Sequence, residues 1–252
     1  MAGSQSLDRG LNILVLLDGS PEPLGVREIA RQLGLNAATT QRLLNSLAEQ
    51  NFVQKHKDSR RYGIGYRALG LGASLLTRDL LIASSDRELR RIAATHQLNG
   101  YLGQQLGAKA IYLLCVQSNG PIAIRNTPGE LTLLHSTAMG KVLLSALSDD
   151  QVHALLGPGP LEKVTPHTIS DPEVLIDELA EVRNDGFAYV REETLLGVIS
   201  VGAPVFDASN RIVASLSVAF AERVSPDHTI ESVAPIVREA ARNVSIALGA
   251  AA

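Results

Sequence analysis

At 252 residues, with 45% apolar and 19% charged side chains, the chain is sized and composed for two globular domains, each with its own core. No apolar run approaches the roughly 18 residues of a membrane span, Met1 to Arg9 lacks an apolar signal core, and the single Cys115 excludes an internal disulfide, so a cytoplasmic protein is expected. The net charge of −3 argues weakly against nucleic acid until it is divided: residues 1–80 carry ten Lys and Arg against seven Asp and Glu, residues 81–252 thirteen against nineteen.

In chain order, Ser6 to Leu17 opens on a candidate N-cap at Ser6 and runs apolar through Leu11, Leu14 and Leu17, a first helix packed behind the next two. Ser20 to Gly25, with two prolines, is a loop. Val26, Ile29, Ala30 and Leu33 then recur at i, i+3, i+4 and i+7, Gly34 stops that helix, and Asn36 caps the next. In the helix capped by Asn36, Thr40, Leu43, Leu44 and Leu47 share the inner face. A turn of about 100° per residue leaves Ala38, Arg42, Asn45 and Glu49 outward, with Thr39 and Gln41 on the flanks. Two short helices around a tight turn form a helix-turn-helix, and an outward row of small, amide and Arg side chains suits a major groove. Arg bonds guanine edges or phosphates, Gln and Asn pair with adenine, and Thr bonds phosphate or touches a thymine methyl. Arg27, Asn36, Ala38, Thr39, Thr40, Gln41, Arg42 and Asn45 are the candidate contacts on these helices. Asn51 to Tyr66 predicts a β-hairpin: Phe52-Val53 opens it, Lys57 to Arg60 turns and Arg61 to Ile64 returns. A hairpin directly after a helix-turn-helix is a wing, and here Lys55, Lys57, Arg60 and Arg61 are candidate contacts to phosphates or the minor groove.

Ala68 to Leu98 is helix-forming, with Leu69, Leu71 and Leu75 apolar early and Ser84-Ser85-Asp86 as a start for a second helix. Such an apolar connecting helix must bury its stripe, and the same helix of a second subunit is the expected partner. From Asn99 the period becomes that of strands: Tyr101 to Leu106, Ala110 to Gln117 and Ile122 to Arg125. Helices come next over Ala138 to Leu147, capped by Ser136 or Thr137, over Asp149 to Leu156, and from Asp171-Pro172 to about Asn184. Phe187 to Val190, Val198 to Phe206 and Ile212 to Phe220 are strands, and Thr229 to Leu248 closes as an amphipathic helix. The whole is α+β: a winged helix-turn-helix over residues 1–66, a connecting helix over 67–84, and an antiparallel sheet with packed helices over 85–252.

Enzyme chemistry finds little support. The six histidines are scattered, without HxxxH or HExxH, and Cys115 has no CxxC partner, so no metal site and no cofactor is expected. STAMGK at 136–141 lacks the leading Gly and the final Ser or Thr of a phosphate loop, and no GxSxG is present. Glu192-Glu193 reads as a solvated pair, and no catalytic residue is assigned. A ligand pocket is better supported: the start of the 138–147 helix offers free N–H groups and a positive dipole end to a carboxylate, and Ser200, Ser215 and Ser217 interrupt apolar strands.

SLDRGLNILVLL, VREIARQLGLNAATTQRLLNSLAEQNFV, LHSTAMGKVLLSAL and DGFAYVREETLLGVISVGAPVFDASNRIVASLSVAF, in that order, resemble the IclR (isocitrate lyase regulator) family of bacterial transcription regulators over nearly the whole chain. The resemblance implies a GAF/profilin-like effector domain joined by a helix to the winged helix. It also implies dimers, often paired into tetramers, on palindromic operators in double-stranded DNA, answering to small organic acids. Carried over residue by residue, the effector pocket falls on Ala138, Met139, Val190, Ser200, Ser217 and Ala219. Members that bind very small oxo-acids tend to be acidic where this chain has Val190, Cys where it has Ser200 and Ser where it has Ala219. The departure implies a larger or more apolar ligand, such as an aromatic or hydroxy acid. The competing readings are a sensor whose N-terminal module docks protein rather than DNA, and a hydrolase using a pocket serine.

Overall fold

The computed structural model describes residues 4–120, 124–221, 223–225 and 227–251, with backbone alone at Leu76 and Thr77. It divides into two compact units, Met1–Arg78 and Asp79–Ala252.

The first unit runs α1 (Gln5–Asp18), α2 (Val26–Gln32), α3 (Ala37–Glu49), β1 (Val53–Lys55), β2 (Tyr62–Ile64) and α4 (Arg67–Arg78). Helix α1 starts before the expected Ser6: Ser4 is its N-cap, without a side-chain bond. The core is Ile13, Leu17, Ile29, Leu44, Val53 and Tyr62, one or two residues from each element except α4, which fixes α3 against the hairpin. Each such fully buried side chain contributes about 1.5–3 kcal/mol. Gly34, at φ +64°, supplies the left-handed residue between α2 and α3 that a side chain rarely adopts. The loop before α2 is more ordered than its composition suggests, because Leu24 and Tyr62 exchange both backbone bonds at 2.9 and 2.8 Å and add an isolated antiparallel bridge on the far side of β2.

The second unit runs α5 (Leu80–His96), β3 (Asn99–Leu106), β4 (Lys109–Val116), β5 (Leu131–Leu133), α6 (Ala138–Ser145), α7 (Asp149–Leu156), α8 (Pro172–Asp185), β6 (Ala188–Arg191), β7 (Ile199–Phe206), β8 (Ile212–Phe220) and α9 (Ile230–Ala247). The break before α5 falls at Asp79, not at Ser84: the Asp79 carboxylate accepts the Leu81 and Ile82 amides, a stronger cap than a serine deeper in an apolar run. Six antiparallel strands form one sheet in the order β5-β4-β3-β8-β7-β6. Strand alternation sorts its faces. Ala214, Leu216, Val218 and Phe220 of β8, with Ile199, Val201, Ala203 and Val205 of β7, pack under α5 and α9. Ser215, Ser217 and Ala219 take the other face, where α6 lies, backed by α7 and α8.

Only the end of the strand expected over Ile122 to Arg125 falls among the described residues, and it is not a strand there. Ile122 and Ala123 lie outside the described residues, and Ile124 and Arg125 are irregular because the Ile124 carbonyl accepts the Tyr101 hydroxyl and the Gln117 amide instead of a ladder bond. Leu131–Leu133 takes the edge beside β4. No helix among the described residues is long and apolar enough to cross a membrane.

Candidate functional site

Helix α3 is organised from its N-terminal cap. Asn36 Oδ1 accepts the Thr39 amide at 2.8 Å, so this side chain is engaged in holding the helix rather than free to meet a base. The outward row is as the helical period requires: Ala38, Arg42 and Asn45 are exposed, Thr39 and Gln41 are intermediate. Arg42 and the exposed Arg27 of α2 carry no hydrogen bond or ion pair among the described residues, so both guanidinium groups are available. Gln41 Nε2 donates to Asn45 Oδ1 at 2.8 Å and to the Tyr62 hydroxyl at 3.0 Å, which ties α3 to β2 and orients Asn45. Thr40 corrects the expectation placed on it. It is fully buried and its hydroxyl donates to the Asn36 carbonyl at 3.0 Å, so it belongs to the core that Leu44 anchors and cannot reach a ligand.

The wing presents Lys57 and Arg60 freely, Arg60 with φ +55° at the turn. Lys55 lies over the Tyr62 ring, 5.5 Å from its centroid. Arg61 is a second correction: its Nε donates to the Pro23 carbonyl and its Nη2 to Glu28, both at 2.6 Å, so it buckles the hairpin to the start of α2 instead of facing outward. The Gly25 amide first, and then Arg61, hold the Glu28 carboxyl below its ordinary 4.5. That contribution is present above pH 4.5 and is lost as pH falls through the lowered folded value. Arg61→Ala is therefore expected to lower Tm modestly near neutral pH while leaving the salt dependence of DNA binding unchanged, whereas Lys57→Ala and Arg60→Ala should each reduce that slope by about one. Anisotropy titrations at several salt concentrations check this.

In the second unit a cavity of about 370 Å³ opens on the α6 side of the sheet, and all six carried-over positions line it: Ala138 and Met139 at the start of α6, Val190 on β6, Ser200 on β7, and Ser217 and Ala219 on β8. Thr137 caps α6 through the Gly140 amide at 3.0 Å, while the amides of Ala138 and Met139 have no acceptor among the described residues. Gly202 lets them come close, since a Cβ there would sit 3.1 Å from the Ala138 backbone. The Ser200 and Ser217 hydroxyls likewise have no hydrogen-bond partner among the described residues. Ser215, on the same face, is buried and unpartnered but does not line the cavity. Sequence reasoning missed the opposite wall. Tyr101 and Tyr112 stand edge to face at 5.6 Å, the Tyr101 hydroxyl bonded to Ile124 at 2.6 Å, and Arg125 and Leu195 complete the rim. Burial pushes both phenols up, Tyr112 to about 12, so both stay neutral. Tyr101 on β3 lies beside Ser217 on β8, and Tyr112 on β4 one strand further out, only through the strand order, which no local pattern states. No group of three metal-ligating side chains occurs among the described residues.

The sequence matches two family models: the bacterial transcriptional regulator IclR C-terminal domain over residues 73–246 and the IclR helix-turn-helix domain over residues 6–57. The chain belongs to the IclR family. It is 31% identical over 248 residues to the acetate operon repressor of Salmonella typhimurium, covering 97% of this chain and 90% of the relative. Among solved structures it resembles an IclR transcriptional regulator from Alicyclobacillus acidocaldarius, with 28% identity, TM-score 0.88, and 98% and 100% of the two chains covered. An IclR homolog from Microbacterium hydrocarbonoxydans complexed with 4-hydroxybenzoate shares the fold, with 18% identity, TM-score 0.80, and 97% and 99% covered. This IclR-family chain is a DNA-binding transcriptional regulator, and its relatives are regulators rather than enzymes. The GK of STAMGK has a packing role in place of phosphate binding. Gly140 carries no Cβ because one would lie 2.1 Å from the Leu134 carbonyl oxygen, and Lys141 is fully buried between Glu178 at 2.7 Å and Glu193 at 2.6 Å. Glu193, expected to be solvated, is thus a buried ion-pair partner. Burial pushes its carboxyl up while Lys141 draws it down.

Proposed function

We propose that this regulator binds a palindromic operator as a dimer, through α3 and the wing, and that an aromatic or hydroxy acid in the 370 Å³ cavity controls that binding. In this reading residues 1–66 read the operator, 67–84 join the parts and 85–252 hold the effector. The DNA contacts are Arg27, Ala38, Thr39, Gln41, Arg42, Asn45, Lys55, Lys57 and Arg60, with Asn36, Thr40 and Arg61 holding the frame. The dimer is supported by apolar side chains left exposed in the first unit: Leu7, Leu11 and Val15, at four-residue spacing on α1, and Leu71 and Leu75 on one face of α4, with Leu69 exposed on another. Covering them with a second copy sets two α3 helices for half-sites about one DNA turn apart, and a dimer of dimers extends the same logic.

One observation carries the effector reading: unpartnered donors (two amides and two hydroxyls) meet apolar Val190, Ala219 and two tyrosine rings in a single cavity. The donors suit a carboxylate, and the walls suit a ring. The 4-hydroxybenzoate complex of the homolog supports the same class. Calorimetry with benzoate, 4-hydroxybenzoate, glyoxylate and pyruvate tests it. The aromatic acids should bind more tightly, and Ala219→Phe, which fills the cavity, should weaken them by at least about tenfold, roughly 1.4 kcal/mol. Tighter binding of glyoxylate or pyruvate to the unaltered protein would overturn the proposal.

A further inference from the structure

The second unit holds another cavity, of about 590 Å³, where β7 runs on past its neighbour. Strand β6 pairs with β7 only as far as Gly202, so Ala203–Phe206 has β8 on one side and no strand on the other. Into this notch the C-terminal half of α9 brings Arg238 and Arg242, one helical turn apart. Neither meets a carboxylate within ion-pair distance among the described residues, and Arg238 lies against Gly186, where a Cβ would be 4.0 Å from its Nη2. Two like charges at this spacing repel when nothing neutralises them. Glu239 lines the same groove, leaving one positive charge in excess in a part of the chain that is otherwise acidic. Pro204, Phe206 and Pro235 supply apolar wall, and Asn210 and Ser245 add polar lining.

We propose that this groove is a second anion-binding site, on the α9 side of the sheet, that takes an organic carboxylate with an apolar body. The arginines fork the carboxylate, as guanidinium groups do with planar oxyanions, and the prolines and Phe206 cover the body. The site is independent of the effector cavity, which lies under α6 on the other face.

The test uses 4-fluorobenzoate and fluorine NMR on the full chain, in three proteins: unaltered, Arg238→Gln/Arg242→Gln, and Ala219→Phe. Both arginines are exposed, so the double variant should keep the parent Tm. It should bind the probe in this groove at least about tenfold more weakly, the worth of losing charge-assisted hydrogen bonds. Ala219→Phe should leave the arginine-dependent binding unchanged, which separates failure here from failure of the effector reading. Absence of any probe binding that requires the two arginines overturns the proposal. So does a double variant that changes only the sedimentation coefficient, which would place an acidic surface of a second copy in the groove.

Discussion

Replacing Lys141 with methionine is expected to cost about 3–5 kcal/mol of stability, the loss typical when one partner of a buried ion pair is removed. The lysine is wholly enclosed, and its ammonium donates to Glu178 and Glu193 at once. Removal leaves two carboxylates facing each other without a counter-charge. Burial already raises the Glu193 carboxyl, and the variant loses the attraction that opposes it. The variant should therefore take up a proton on folding, and a raised carboxyl favours the folded state below its unfolded pKa and loses that advantage as pH rises through the folded value. Urea unfolding at pH 5 and pH 8 should show the larger deficit at pH 8. Equal deficits would mean that the pair acts by packing alone. The consequence reaches the effector cavity, because the same Glu193 stretch is held by Thr165 and Thr168 through its backbone carbonyls, and the neighbouring Thr194 donates to Ser136 beside α6 at 2.6 Å.

Arg42→Ala is expected to weaken specific operator binding by about 1–3 kcal/mol, the cost of a lost base-edge contact, and to relax sequence preference at one position of each half-site. Stability should be unchanged, because Arg42 is exposed and bonds to nothing among the described residues. The contrast with Gln41 is useful. Gln41 joins α3 to the Tyr62 hydroxyl, so Gln41→Ala should loosen the wing as well as the contact. A variant at Arg42 with undiminished operator affinity would show that Arg42 makes no base-edge contact and would leave the readout to the other exposed side chains of α3 and the wing.

The difference between what local pattern announces and what it hides is clear in these residues. The outward row of α3 comes from a 3.6-residue period, and the Asn36 cap from one side-chain preference. Thr40 shows the limit of chemistry read without position: the period places it inside, and its hydroxyl is satisfied there. Arg61 is indistinguishable from Lys57 and Arg60 in a basic run, since its partner Glu28 stands 33 residues away. Lys141 and Glu193 are 52 residues apart and meet only because α6 packs across the sheet. In the effector cavity, strand alternation gives the face of Ser217 and Ala219, but Tyr101 and Tyr112 depend on sheet order, and β5 on an edge that only the folded β4 creates.

Whether α3 and the wing read a specific operator is tested most directly by fluorescence anisotropy of the full chain on its own upstream intergenic DNA. The titration is run at two salt concentrations, against a scrambled control, with and without 4-hydroxybenzoate. Tight binding to the upstream DNA alone is expected, weakening steeply with salt as phosphate-bound counterions are released, and shifted by the acid. Equal, weak binding to both DNAs under every condition would contradict an operator-reading role for α3 and the wing.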